Sequence, residues 1–197
     1  MSVAASAPRG YGSGMGSGMT SHAAFLRGMN VGGHRLTNDE LRTHFEAMGF
    51  GGVASFRASG NVVFAAAGEP PDELVTRIER GLAAALGYEV PTFIRSSEQL
   101  RAMAALRPFA PERVAASAGK LQVALLTATP SAQAAAEVLS LAGEEDALAF
   151  GERELYWLPS GGILDSALDL KSIAKLLGPM TMRTKGTIEQ LAAKHFP

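Results

Sequence analysis

The residues best suited to chemistry fall in two short stretches. In Phe25-Leu26-Arg27-Gly28-Met29-Asn30-Val31-Gly32-Gly33-His34-Arg35, an apolar run ends at an arginine and passes into a glycine-containing loop. In Arg57-Ala58-Ser59-Gly60-Asn61, a second arginine precedes a Ser-Gly-Asn turn. Guanidinium groups, and backbone N–H groups left open at a helix start, are ordinary donors to phosphate and carboxylate. The chemistry these types offer is therefore anion recognition. Arg27 and Arg57 would pair with the anion, the amides at Gly32 and Gly33 would cradle it, and Asn30 and Asn61 would orient it, with Gly28, His34 and Ser59 on the same edge. His34 is also a candidate acid/base for a phosphate or carboxylate ester, although no nucleophile or second carboxylate accompanies it. The competing reading is a structural turn, in which glycine supplies positive φ and the polar groups satisfy backbone.

Several other chemistries are excluded by residue type or spacing. Gly28-x-x-x-Gly32-Gly33 is neither the dinucleotide fingerprint nor a phosphate-binding P-loop. The chain has no cysteine, which removes disulfides, thiolate nucleophiles and cysteine-ligated metals. Its histidines, His22, His34, His44 and His195, have no metal-ligand spacing, and Glu144-Glu145-Asp146 reads as an acidic turn. Ser160-Gly161-Gly162 lacks the nucleophile-elbow pattern. Neither a metal nor a cofactor is expected. Arg183-Thr184-Lys185-Gly186-Thr187, beside a helix start, is a second anion contact or a solvated turn.

The elements that must position these residues follow from hydrophobic patterning. His22–Arg27 reads as a strand whose middle is apolar without alternation, a sign of burial on both faces. Thr37-Asn38-Asp39-Glu40 is a capping box, and Leu41, Phe45 and Met48 follow on one helical face. Val53–Arg57 and Asn61–Ala66 are strands around the Ser-Gly turn. Pro70-Pro71-Asp72-Glu73 opens a helix striped by Leu74, Ile78, Leu82 and Leu86 and stopped by Gly87. Val90–Arg95 is a fourth strand. The order β-α-β-β-α-β is that of a ferredoxin-like unit, with strand order 4-1-3-2. In that order the end of the first strand lies beside the start of the third, so the two arginine-bearing stretches share one sheet edge.

The second half repeats the element order without a repeat at residue level. Ser96-Ser97-Glu98-Gln99 opens a capped helix, and Arg107–Gly119 reads as a loop. Leu121–Thr127 is a strand, and a helix starts at Thr129-Pro130. Ala147–Phe150 and Glu154–Leu158 are paired strands, with Tyr156 and Trp157 on opposite sides and one of them in the core. Ser166–Asp169 caps a helix ended by Gly178-Pro179. Met180–Arg183 is extended, and Thr187 begins the last helix. The fold class is α+β with two small domains, the first ferredoxin-like and the second a smaller β-α-β-β-α-(β)-α unit. The expected division is a low-complexity tail over 1–20, the first domain over 21–95, a helix and linker over 96–119, and the second domain over 120–197. The Gly/Ser-rich tail cannot bury enough apolar surface to offset its ordering entropy.

Bulk properties narrow the partners. Formal net charge is −1 and the charged residues are spread over both halves, which disfavours nucleic acid. No apolar run reaches the roughly 18 residues of a membrane span, and no apolar signal core precedes the first strand. The expectation is a cytoplasmic protein with a small anionic ligand. The doubly apolar strands need cover on both faces, from the second domain or from another subunit, so the alternatives are a homodimer or an interaction module.

Phe25-Leu26-Arg27-Gly28-Met29-Asn30-Val31-Gly32-Gly33 and Ser59-Gly60-Asn61-Val62-Val63-Phe64 resemble the two signature stretches of a bacterial family of domains of unknown function, number 1697. The Val90-Pro91 strand, Arg107-Pro108-Phe109 and Thr181–Leu191 fall where that family would have them. Arg57-Ala58 stand where the family usually has an aromatic and Gln. Met182-Arg183-Thr184-Lys185-Gly186-Thr187 stands for Thr-Arg-Asn-Trp-Asn-Thr and keeps Arg183 and Thr187. The resemblance implies a soluble bacterial protein with the two-domain fold described above. It raises the standing of the paired loops as a ligand site, with Arg183 a further candidate, and it supplies no activity.

Overall fold

The structure, a computed structural model, describes residues 18–29, 36–57, 60–143, 145–164 and 166–197. Most of the low-complexity tail, Asn30–Arg35 with Gly32, Gly33 and His34, and Ala58 and Ser59 lie outside the described residues. The described residues form eight strands and seven helices, arranged as two four-stranded antiparallel sheets.

The first unit comprises β1 (Met19–Leu26), α1 (Asn38–Ala47), β2 (Gly51–Ser55), β3 (Asn61–Ala67), α2 (Pro71–Leu86) and β4 (Thr92–Ser96), with sheet order β2-β3-β1-β4. This is the expected ferredoxin-like order. Local chemistry sets the helix ends: Thr37 and Glu40 form both halves of a capping box, and Gly87 ends α2 in the left-handed conformation. In register, Phe25 stands opposite Asn61, so the end of β1 and the start of β3 do share an edge.

The second unit begins with α3 (Ser97–Ala105) and α4 (Pro111–Ala116). It continues through β5 (Gln122–Leu126), α5 (Ala132–Ser140), β6 (Ala147–Phe150), β7 (Glu154–Leu158), α6 (Leu170–Leu177), β8 (Met180–Thr184) and α7 (Lys185–His195). Its sheet order, β6-β7-β5-β8, repeats that of the first unit.

Several local expectations are corrected. The Arg107–Gly119 stretch is not all loop, because Pro111 at the first helical position and Glu112 in the first turn start α4. The cap of α5 is Ser131 rather than Thr129. The last helix begins at Lys185, capped by Thr184, because the Thr184 hydroxyl accepts from the Thr187 amide. Tyr156 and Trp157 are both buried, since both faces of the second sheet are covered.

Three apolar clusters account for the continuous apolar strands. On one face of the first sheet, Ala24, Leu26, Val62 and Phe64 meet Leu41 and Phe45 of α1 and Leu74, Ile78 and Leu82 of α2. On the other face, Ala23, Phe25, Val63 and Phe93 join Leu100 and Met103 of α3, Ile188 and Leu191 of α7, and Val123, Leu125 and Tyr156 of the second sheet. The far face of the second sheet puts Ala124, Leu155 and Trp157 against Val138 and Ile173. Each fully buried Leu or Phe contributes about 1.5–3 kcal/mol relative to exposure. The inner face of the first sheet is thus covered within the chain, by α3, α7 and the second sheet. No helix among the described residues is long and apolar enough to cross a membrane.

Candidate functional site

The turn between β2 and β3 is fastened by its own residues. The Phe56 amide donates to Asn61 O at 2.9 Å, and Asn61 Nδ2 donates to Phe56 O at 3.1 Å. Arg57 inside this turn has φ 58°, a left-handed conformation that side chains other than glycine seldom adopt. Gly60 has φ 67° and lies so close to Leu26 that a Cβ would stand 3.2 Å from both Leu26 Cβ and Leu26 O. That proximity lets the Leu26 amide donate to Gly60 O at 2.8 Å, continuing the β1–β3 ladder to the edge.

Arg183 of β8 reaches this edge from the second unit. Its Nε donates to Asn61 Oδ1 at 2.6 Å and its Nη2 to Leu26 O at 2.9 Å, while Nη1 donates to Met182 O at 2.8 Å. Burial pushes its pKa down to about 10, still far above neutrality, so the guanidinium stays charged. The sequence placed Arg183, Asn61 and the Arg27 loop as candidates for one site. The structure brings Arg183 and Asn61 together and engages both in joining the units.

The same contact occurs a second time in the opposite direction. Arg95 of β4 donates from Nε to Glu154 Oε1 at 2.6 Å, from Nη1 to Ile94 O at 2.9 Å and from Nη2 to Leu126 O at 3.0 Å. Leu26 and Leu126 are the last residues of β1 and β5, and Asn61 and Glu154 are the first of β3 and β7. Each unit therefore closes the other's strand ends with an arginine, buried in the case of Arg95 and half-buried in the case of Arg183. Arg95 is 1% exposed, and burial lowers its pKa while the Glu154 carboxylate opposes that shift.

Beside the Arg57 turn lies a cleft of about 510 Å³ between the two units. Its basic lining is Arg57, Arg107, Lys120 and Lys185, against a single carboxylate, Glu189. Arg57 donates to Gln190 Oε1 of α7. Lys185 Nζ donates to Ala104 O at 2.6 Å and to Glu189 Oε1 at 3.0 Å, and Arg107 Nη1 stands 3.3 Å from the same Glu189 oxygen. Two cations thus share one carboxylate, while Arg57 has a neutral partner and Lys120 is exposed. Burial lowers the Lys185 pKa and the Glu189 carboxylate counteracts it. Gly119 sets the position of Lys120, because its Cα lies where a Cβ would collide with Gly161 O and come within 2.6 Å of Pro159 O.

The remaining expected residues are placed as follows. Arg27 is exposed at the end of β1, with its amide donating to Pro91 O at 2.9 Å. Gly28 follows at φ 76°. Asn30, Gly32, Gly33, His34 and Ser59 lie outside the described residues. The sequence reading did not single out Arg107, Lys120 or Gln190 for the cleft. The available signals were weak: Arg107 opened a segment noted for its family resemblance, and Lys185 lay within the flagged Arg183–Thr187 stretch.

Comparison with known proteins bears on fold and family. No curated protein matches the chain. A conserved bacterial protein, SP0830 from Streptococcus pneumoniae, has a similar structure, with a TM-score of 0.68 at 22% identity over 89% of this chain and 97% of that one. At that identity the likeness concerns the fold. The family described as "Protein of unknown function (DUF1697)" matches residues 19–156, a span holding both signature stretches and the strands that position them, and the chain belongs to that family.

Proposed function

We propose that this protein binds a small anionic ligand at the edge formed by residues 27–35 and 57–61, with the cleft beside Arg57 as the ligand's seat. The observation that carries this reading is the charge balance of the cleft, in which Arg57, Arg107, Lys120 and Lys185 face one carboxylate, Glu189. A low-dielectric hollow with surplus positive charge attracts anions more strongly than the same charges do on open surface. The conformation of Arg57 gives further support. A bulky residue held at positive φ costs on the order of 1 kcal/mol, and such strain concentrates at functional positions. Isothermal titration with inorganic phosphate and pyrophosphate at low salt tests the reading. Binding is expected for the wild type, with at least a tenfold loss in an Arg57→Ala, Lys120→Ala double variant. If the wild type shows no heat of binding, or if the double variant binds equally well, this assignment of the site is wrong.

A further inference from the structure

The cleft lining is chemically mixed. Arg57, Arg107, Lys120, Lys185 and Glu189 carry its charge, and Pro108, Phe109, Val114 and Leu121 supply its apolar wall surface. Val114 is 36% exposed, so its side chain is accessible to a ligand in the cleft. Taking the anion-binding reading as its basis, we infer that the preferred ligand is a phosphate monoester carrying a flat apolar body, with the phosphate against Arg57 and Lys120 and the body against Phe109 and Val114.

Two features point to this class rather than to a bare anion or a carboxylate. The first is volume. A cleft of about 510 Å³ lies in the range that holds small organic ligands, and inorganic phosphate alone would leave most of it to water. The second is charge. Four cations against one carboxylate leave a surplus that a phosphate dianion neutralises better than a carboxylate monoanion does. The apolar wall then adds the burial of a ring, and an aromatic body can also stack on Phe109.

Titration with three probes separates this inference from the reading beneath it: inorganic phosphate, phenyl phosphate and benzoate. Phenyl phosphate should bind about tenfold or more tightly than inorganic phosphate and more tightly than benzoate. In a Val114→Ser variant the advantage of phenyl phosphate over phosphate should shrink several-fold while phosphate binding itself is unchanged. Val114 lies at the surface, so this variant is expected to fold, and circular dichroism verifies that it does. Equal binding of phosphate and phenyl phosphate overturns the inference while leaving anion binding intact. Benzoate binding as tightly as phenyl phosphate overturns the phosphate preference. An undiminished preference in Val114→Ser shows that the apolar wall is not the seat of the ring. Failure of all three probes to bind overturns this inference and the anion-binding reading together.

Discussion

Arg95 and Arg183 occupy the same place in the two sheets, each the fourth residue of its edge strand, and each donates to the terminal carbonyl of the other unit's central strand, Leu126 O or Leu26 O. They differ in the partner of Nε. Arg95 meets the Glu154 carboxylate, whereas the corresponding acceptor for Arg183 is the neutral amide of Asn61.

That difference predicts unequal mutational costs. Arg95→Met strands a buried carboxylate and should cost about 3–5 kcal/mol. Arg183→Met leaves neutral acceptors behind and should cost about 1–3 kcal/mol. Urea unfolding of both variants gives the comparison, and a larger loss for Arg183→Met would contradict it.

Arg57 separates binding from folding. Arg57→Gly relieves the left-handed strain but adds backbone freedom to the unfolded chain, so stability should stay within about 1 kcal/mol of wild type. Phosphate affinity should drop. Arg57→Val, β-branched at positive φ, should instead lose about 1–2 kcal/mol. Thermal melts and titration of the two variants are the check.

Gly119 is the steric constraint on the cleft wall. Gly119→Ala would drive a methyl group into the backbone at Pro159 and Gly161. The expected loss is about 1–3 kcal/mol, as for other overpacked sites, together with weaker anion binding because Lys120 moves. A melting temperature equal to that of wild type would show that the segment yields without cost.

Acid should destabilise the fold through two histidines. His22 is buried and stacked on Phe64, and burial lowers its pKa. His195 is lowered by burial and by Lys194. The unfolded chain takes up these protons near pH 6.5 and the folded chain only at lower pH. The associated stability is therefore complete above about pH 6.5 and is lost as the pH falls below that, through the folded values. Melting temperatures measured from pH 7.5 to 5 should fall on the acid side. His22→Phe should flatten part of that slope, and an unchanged slope would exclude His22 as a contributor.

Much of the fold was legible in the sequence because it is written locally. The Thr37–Glu40 box, the Ser96 cap, Gly87 and the paired strands around Gly60 each lie within a few residues of their signals. The order of β1 to β4 followed from handedness and pairing rules. What was not legible depends on distance along the chain. Arg95 looked like the polar end of an apolar strand, and nothing near it announced Glu154, 59 residues away. Asn61 and Arg183, 122 residues apart, were both flagged for an anion, yet sequence could not show that they would hold each other. The helix α4 was missed although Pro111-Glu112 is a legitimate start signal, because the surrounding small residues and Pro108 suggested a loop. The repeat of the two units was visible only as element order, and even the paired arginine contacts differ in residue type, with a carboxylate in one and an amide in the other.

The exchanged arginines have a consequence for how the molecule comes apart. Neither unit supplies every donor its own strand ends require, so a half-chain would expose an arginine meant for burial and leave Leu26 O or Leu126 O to find another donor. Loss of one unit removes the missing donor from the other, and melting is expected as a single cooperative event across both sheets.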